Sequence, residues 1–229
     1  MKRTALIAML GILLAFGAAG VSHGGTISGG SGWFSWTAGS LNEDNSPFWD
    51  GKSLDASKTN IGYLLNGSLG VGTPGYYGNA SGGATTFTFT RESTDAQAGL
   101  LIEIAGWKNI NEFGWYNTSG MASEVIFKGG DSAPKSAYFT PSEHYGFYFK
   151  TGGGNTYYTG GNANQFAVFS PDHKSTYYLG MEDTPFDSSD KDFNDMVVKI
   201  SAVPEPCTMF LVGSGLIGLA ACRRRFKRS

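Results

Sequence analysis

The stretch Ala84-Thr85-Thr86-Phe87-Thr88-Phe89-Thr90 alternates strictly, with Phe87 and Phe89 on one side and Thr86, Thr88 and Thr90 on the other. A period of two marks a half-buried β-strand, because a helix presents one face every 3.6 residues. The segment 99–107 repeats the pattern, placing Leu100, Ile102 and Ile104 on one face and Leu101, Glu103 and Ala105 on the other. Further strands are expected at 123–128, 145–150, 156–159, 165–169, 175–181 and 193–200, separated by turn clusters such as Gly152-Gly153-Gly154-Asn155 and Gly160-Gly161-Asn162. No amphipathic helix interrupts them, and 34 glycines with 14% aromatic residues suit short strands joined by tight turns. The expected fold is therefore all-β, an antiparallel β-sandwich or jelly roll. The region 24–83 holds Trp33, Phe34, Trp36, Phe48 and Trp49 without a period and is expected to wrap the sandwich as extended strands and long loops.

The two ends read differently. Met1-Lys2-Arg3 followed by the apolar run Ala5 to Ala19 and small residues around Gly20-Val21-Ser22 has the layout of a secretory signal peptide, a helix over residues 1–22 that engages the Sec translocon. At the other end, residues 203–229 join Val203-Pro204-Glu205-Pro206, an apolar run from Cys207 to Cys222 and a cationic block beginning Arg223-Arg224-Arg225. As a helix that run spans about 24 Å, slightly short for a hydrocarbon core of about 30 Å. It is expected to be a transmembrane helix with its arginines on the cytoplasmic side, which leaves the rest of the chain outside. The domain between, residues 23–202, has no cysteine and cannot carry a disulfide. The whole chain has a formal charge of −2, to which the first 22 residues contribute +2 and the tail +4, so the domain carries −8. Such a charge disfavours nucleic acid and suits divalent cations or neutral glycans.

Pro204, Glu205 and Pro206, the short hydrophobic segment and Arg223, Arg224 and Arg225 together resemble the PEP-CTERM sorting signal of Gram-negative bacteria. The resemblance implies recognition by a membrane-embedded exosortase, a transient inner-membrane precursor and delivery to the cell surface or extracellular matrix. An uncut membrane anchor is the alternative. Neither reading bears on what the domain does.

Site chemistry is concentrated in residues 182–195, where Glu182, Asp183, Asp187, Asp190, Asp192 and Asp195 stand with one lysine, Lys191. Carboxylates this close repel one another, and a hard cation removes that cost. Asp190, Asp192 and Asn194 match the first three positions of a D-x-D-x-N calcium loop, with Asp195, Glu182 and Asp183 as further oxygen donors. Asp195 stands where an EF-hand needs glycine and Ser201 where it needs glutamate, so the expectation is calcium in a β loop. The competing reading is a turn in which Asp190 and Asn194 cap backbone N–H groups while Asp195 faces solvent. The run Asp190 to Val198, with Gly180-Met181-Glu182-Asp183 before it, resembles the closing strands of a domain of unknown function common on bacterial surface proteins. Segments 111–117, 145–149 and 165–169 fit that domain's strand order, so the resemblance extends over about 84–200 and implies a β-rich surface module with no assigned reaction.

Catalytic readings find little purchase. Glu103, Glu112, Glu124, Glu143 and Glu182 offer carboxylates for a glycosidase pair, but nothing in the sequence selects two. His23, His144 and His173 are scattered, and no H-E-x-x-H or G-x-S-x-G occurs. Adjacent aromatics such as Tyr76-Tyr77 and Tyr157-Tyr158 must send one ring to each face of a strand, making one of each pair a candidate for an exposed binding face. The expectation is a non-enzymatic structural or adhesive surface protein; the alternative is a carbohydrate-binding module or polysaccharide-active enzyme, with extracellular polysaccharide as partner.

Overall fold

The computed structural model describes residues 25–30, 32–35, 60–72, 74–77, 86–91, 95–103, 107, 109–120, 122–203, 213–216 and 219. Within the compact unit His23–Val203 the described strands form two antiparallel sheets. The first contains β1 (Thr26–Gly29), β4 (Phe87–Thr90), β9 (His144–Lys150), β6 (Glu112–Asn117) and β7 (Ser123–Lys128) in that order, with β10 (Thr156–Tyr158) also paired to β9. The second runs β2 (Trp33–Phe34), β3 (Gly75–Tyr77), β11 (Phe166–Ser170), β12 (Thr176–Met181), β13 (Met196–Ala202), β5 (Ala96–Glu103) and β8 (Lys135–Phe139). The sandwich expected from alternation is the fold observed.

Phe87 and Phe89 of β4 are buried, while Thr88 and Thr90 are only half-buried, as a period of two requires. They join Phe113, Phe147 and Phe149 of the first sheet and Leu100, Tyr177, Leu179, Val198 and Ile200 of the second in one core between the sheets. Aromatic rings meet there edge to face, Phe89 with Phe147 at 5.3 Å and with Tyr177 at 5.2 Å. This geometry sets the positive ring edge against the negative face.

A second core lies on the other face of the second sheet. A short helix, α1 (Ile61–Tyr63), runs into a π turn (Leu64–Ser68), and Ile61, Leu64 and Leu65 pack with Tyr76, Ala167, Phe169, Tyr178, Phe193 and Val197. Strands β11 to β13 are thereby buried on both faces, so they read as nearly continuous apolar runs and not as alternation. The helical segment carries no amphipathic period long enough to be recognised, and the expectation of extended strands and long loops over 24–83 is corrected there.

Two other expectations are corrected. Leu100 and Ile102 were placed on one face, but the pairing of β5 with β13 shifts register, with Val197 opposite Ile102 and Val198 opposite Leu100. Leu101 is the extra residue of this β-bulge, so Leu100 enters the first core while Ile102 packs on the second. The expected strand 193–200 starts only at Met196, because Phe193 has φ 53°.

The tyrosine pairs behave unequally. Tyr157 packs toward the core and Tyr158 is 41% exposed, whereas Tyr76 and Tyr77 are both buried, one in each core. Tyr177 and Tyr178 divide between the cores in the same way. Tyr158 meets Tyr116 at 5.1 Å and Tyr148 at 6.2 Å, forming an aromatic group on the outside of the first sheet. Gly114 and Gly146 allow it, since a Cβ at either would lie about as close as 2.5 Å to the ring of Tyr148 or Tyr116.

Among the described residues no helix is long and apolar enough to cross a membrane. Residues 213–216 and 219 are helical; the remainder of the expected transmembrane segment, Pro204, Glu205, Pro206, Arg223, Arg224 and Arg225, the signal peptide, and Trp36, Phe48 and Trp49 lie outside the described residues.

Candidate metal centre

The acidic segment connects β12 to β13, with a 3-10 turn at Phe186–Ser188. Gln165 staples its beginning from across the sheet. The Gln165 side-chain amide donates to the carbonyls of Glu182 (3.1 Å) and Thr184 (2.7 Å), and its Oε1 accepts from Phe186 N (2.6 Å). Lys191 and Phe193 both adopt positive φ, 60° and 53°, a conformation costing a side-chain-bearing residue about 1–2 kcal/mol. Burial of Phe193 in the second core and donation from its N–H to Glu182 Oε1 at 2.5 Å hold that shape. Ile61 N donates to Asp192 O at 2.8 Å, tying the helical segment to the same loop.

The result brings three carboxylates together. Glu182, Asp190 and Asp192 each present an oxygen, and these oxygens lie within 4.8 Å of one another. Glu182 is 0% exposed and Asp192 3%, while Asp190 forms the open side. Glu182 Oε2 has no hydrogen-bond partner among the described residues. Burial raises the Glu182 pKa to about 8, and the charges of Asp192, Asp195 and Asp190 add to the rise against the opposing Phe193 N–H.

Asn194, Asp183 and Asp195 take other places. Asn194 donates through its backbone N to Asp192 Oδ1 (3.2 Å) and through Nδ2 to Asp192 Oδ2 (2.5 Å), so it orients Asp192. Asp195 Oδ2 accepts from Asp183 N at 2.7 Å, and Asp195 is half-buried and not turned to solvent. Burial, then repulsion from Asp183 and Asp192, raises the Asp195 pKa to about 7, and burial also raises that of Asp183. The turn-capping reading named Asp190 and Asn194; the side chains that accept backbone N–H groups here are Asp192 and Asp195, and Asp195 is half-buried instead of facing solvent.

The three converging carboxylates suit a hard divalent cation. Calcium takes six to eight oxygens at 2.3–2.6 Å in flexible geometry, and water can complete the set on the Asp190 side. All three stand among the six residues singled out in the sequence, Asp190 and Asp192 by their spacing and Glu182 by its place in the acidic segment. Sequence reading missed Gln165 and Ile61, which act only through contacts formed by the fold, and no sequence signal marks either.

The remaining candidates are dispersed over several elements. Glu112 pairs with Lys150 at 3.5 Å, Glu124 accepts from Trp115 Nε1 at 3.2 Å, Glu103 ends β5, and Glu143 is exposed before β9. His173 stacks on Trp33 at 4.4 Å, and His144 lies within hydrogen-bond distance of Thr90 Oγ1 at 3.3 Å.

Comparison with known families adds two findings. Residues 113–203 match a domain of unknown function, DUF4114, and residues 202–225 match the PEP-CTERM protein-sorting motif. Both resemblances drawn from the residues hold, although the first match begins at 113 and not near 84. The sorting motif indicates an exported protein handled by an exosortase. No curated protein and no solved structure matches the chain.

Proposed function

We propose that the sandwich is a calcium-stabilised, non-enzymatic module with a structural or adhesive role at the cell surface or in the extracellular matrix. The observation that carries this reading is the convergence of Glu182, Asp190 and Asp192, with a buried carboxylate oxygen on Glu182 that nothing in the described protein satisfies. Leaving such a group unmet costs about 1–3 kcal/mol, and more when it is charged. In this reading the first 22 residues enter the Sec translocon and the tail holds the precursor at the inner membrane. The exosortase then acts around Pro204, Glu205 and Pro206, with Arg223, Arg224 and Arg225 on the cytoplasmic side.

Thermal unfolding of the full chain in detergent, stripped with chelator and then titrated with calcium, tests the cation. A specific site adds about 2.7 kcal/mol at a hundredfold excess of ion over Kd. The gain should vanish in Asp192→Ala; an unchanged melting temperature in the wild type removes the calcium reading.

The outer tyrosine group supports a second reading, a polysaccharide-binding module in which the exposed Tyr158 offers its ring and hydroxyl to sugar rings, backed by Tyr116 and the buried Tyr148. Binding on a glycan array, reduced by Tyr158→Ala, supports it, and an empty array retires it. Product release from matrix polysaccharide replaces both readings with an enzyme.

A further inference from the structure

We propose that the cation centre is a latch on the helical segment: an ion held by Glu182, Asp190 and Asp192 keeps α1 and its π turn on the second sheet, and removing the ion frees them. The inference rests on the calcium reading of those carboxylates and adds a conformational role to it. α1 and the π turn together span only residues 61–68. A helix that short does not hold itself in water, because nucleation outweighs the few bonds it gains. The bonds from Leu64 N to Asn60 O (3.1 Å), Leu69 N to Leu64 O (2.8 Å) and Val71 N to Leu65 O (2.7 Å) close local turns and give no attachment to the sheet. Attachment comes from the side chains of Ile61, Leu64 and Leu65 in the second core and from Ile61 N, which donates to Asp192 O at 2.8 Å.

Both attachments pass through the cation loop. Asp192 gives its carboxylate to the centre and its carbonyl to Ile61. Phe193, the next residue, places its ring in the second core and its N–H on Glu182 Oε1. Ile61 and Phe193 share one notch over Gly180, where a Cβ would strike both. The loop does not favour this shape unaided. Lys191 and Phe193 stand at φ 60° and 53°, three carboxylates converge within 4.8 Å, and the buried Glu182 Oε2 has no partner among the described residues. An ion removes the repulsion and joins Glu182, just after β12, to the residues before β13. Without it the loop relaxes by turning Asp190 and Asp192 to water and Phe193 out of positive φ. That movement withdraws the acceptor of Ile61 and the Phe193 ring together. The segment then leaves, uncovering Tyr76, Phe169, Tyr178 and Val197 on the outer face of the second sheet.

Hydrogen exchange on the full chain in detergent, stripped with chelator and then given calcium, reads the latch. In chelator the amides of Ile61, Leu64, Leu69 and Val71 should exchange far faster than those of β9, whose Tyr145, Phe147 and Phe149 lie in the first core. Because opening the segment expels the ion, a hundredfold excess of calcium over Kd should slow these amides about a hundredfold. Unchanged exchange there, in a chain that binds calcium by equilibrium dialysis, overturns the latch and leaves the site. Segment amides as protected as β9 in chelator overturn it too, and no bound calcium overturns the calcium reading with it. Coupling is reciprocal, so Leu65→Ala, in the second core and outside the cation loop, should weaken calcium binding about tenfold. An unaltered Kd alongside faster segment exchange in that variant also overturns the latch; where the variant fails to fold, wild-type exchange decides alone.

Discussion

At the residue scale, Glu182 titrates near 8 because its carboxyl is buried among other carboxylates, so without a cation it is protonated at neutral pH. Its folded pKa lies above the ordinary 4.5, so the folded chain holds a proton that the unfolded chain has released. Metal-free stability is therefore greatest below about pH 4.5 for this group and declines as pH rises through 8. The decline should amount to a few kcal/mol between pH 5 and 8 and be largely absent in Glu182→Gln, measured by urea unfolding in chelator. Calcium must displace the same proton, so its affinity should tighten as pH rises from 6 to 8. A calcium titration at three pH values checks that sign. Glu182, Asp190 and Asp192 were legible because acidic residues at short spacing inside a turn-rich segment have few other uses. The role of Asn194 was not, since whether an amide ligates or orients depends on rotation that sequence spacing leaves open.

Elements show a different limit. β4 was readable because one of its faces meets a core and the other does not. β11 to β13 were harder, because α1 and its π turn cover their second face and erase alternation. The bulge at Leu101 was invisible, because a one-residue insertion leaves the apolar run intact while exchanging the faces. Packing of the helical segment depends on Gly180, where a Cβ would lie 2.5 Å from the Phe193 carbonyl oxygen and would also strike Ile61. Gly180→Ala should destabilise the module by about 1–3 kcal/mol through overpacking. It should also weaken calcium binding, because Ile61 N and Phe193 N both reach the acidic loop. Leu65→Ala, at a fully buried position, should cost about 2–5 kcal/mol by leaving a cavity; denaturant midpoints measure both.

For the molecule as a whole, the sorting segment and the sandwich divide the work of arriving and enduring. Glu205→Ala should leave the full precursor in the inner-membrane fraction while the sandwich folds and melts as in the wild type. Fractionation with an antibody to the domain reads this, and normal release of the variant removes Glu205 from the recognition element.

The position of β13 has a mechanical consequence. It lies between β12 and β5, not at an edge, and ends at Ala202, where the sorting match begins. Because β13 is the last strand of the sandwich in the chain, an export that runs from the N-terminus delivers it last, and the second sheet cannot close until nearly all of the sandwich has crossed. Once the protein is held by its C-terminal side, tension enters an interior strand bonded to neighbours on both flanks. A pull along that strand shears many hydrogen bonds in parallel, where an edge strand peeled sideways would lose them singly.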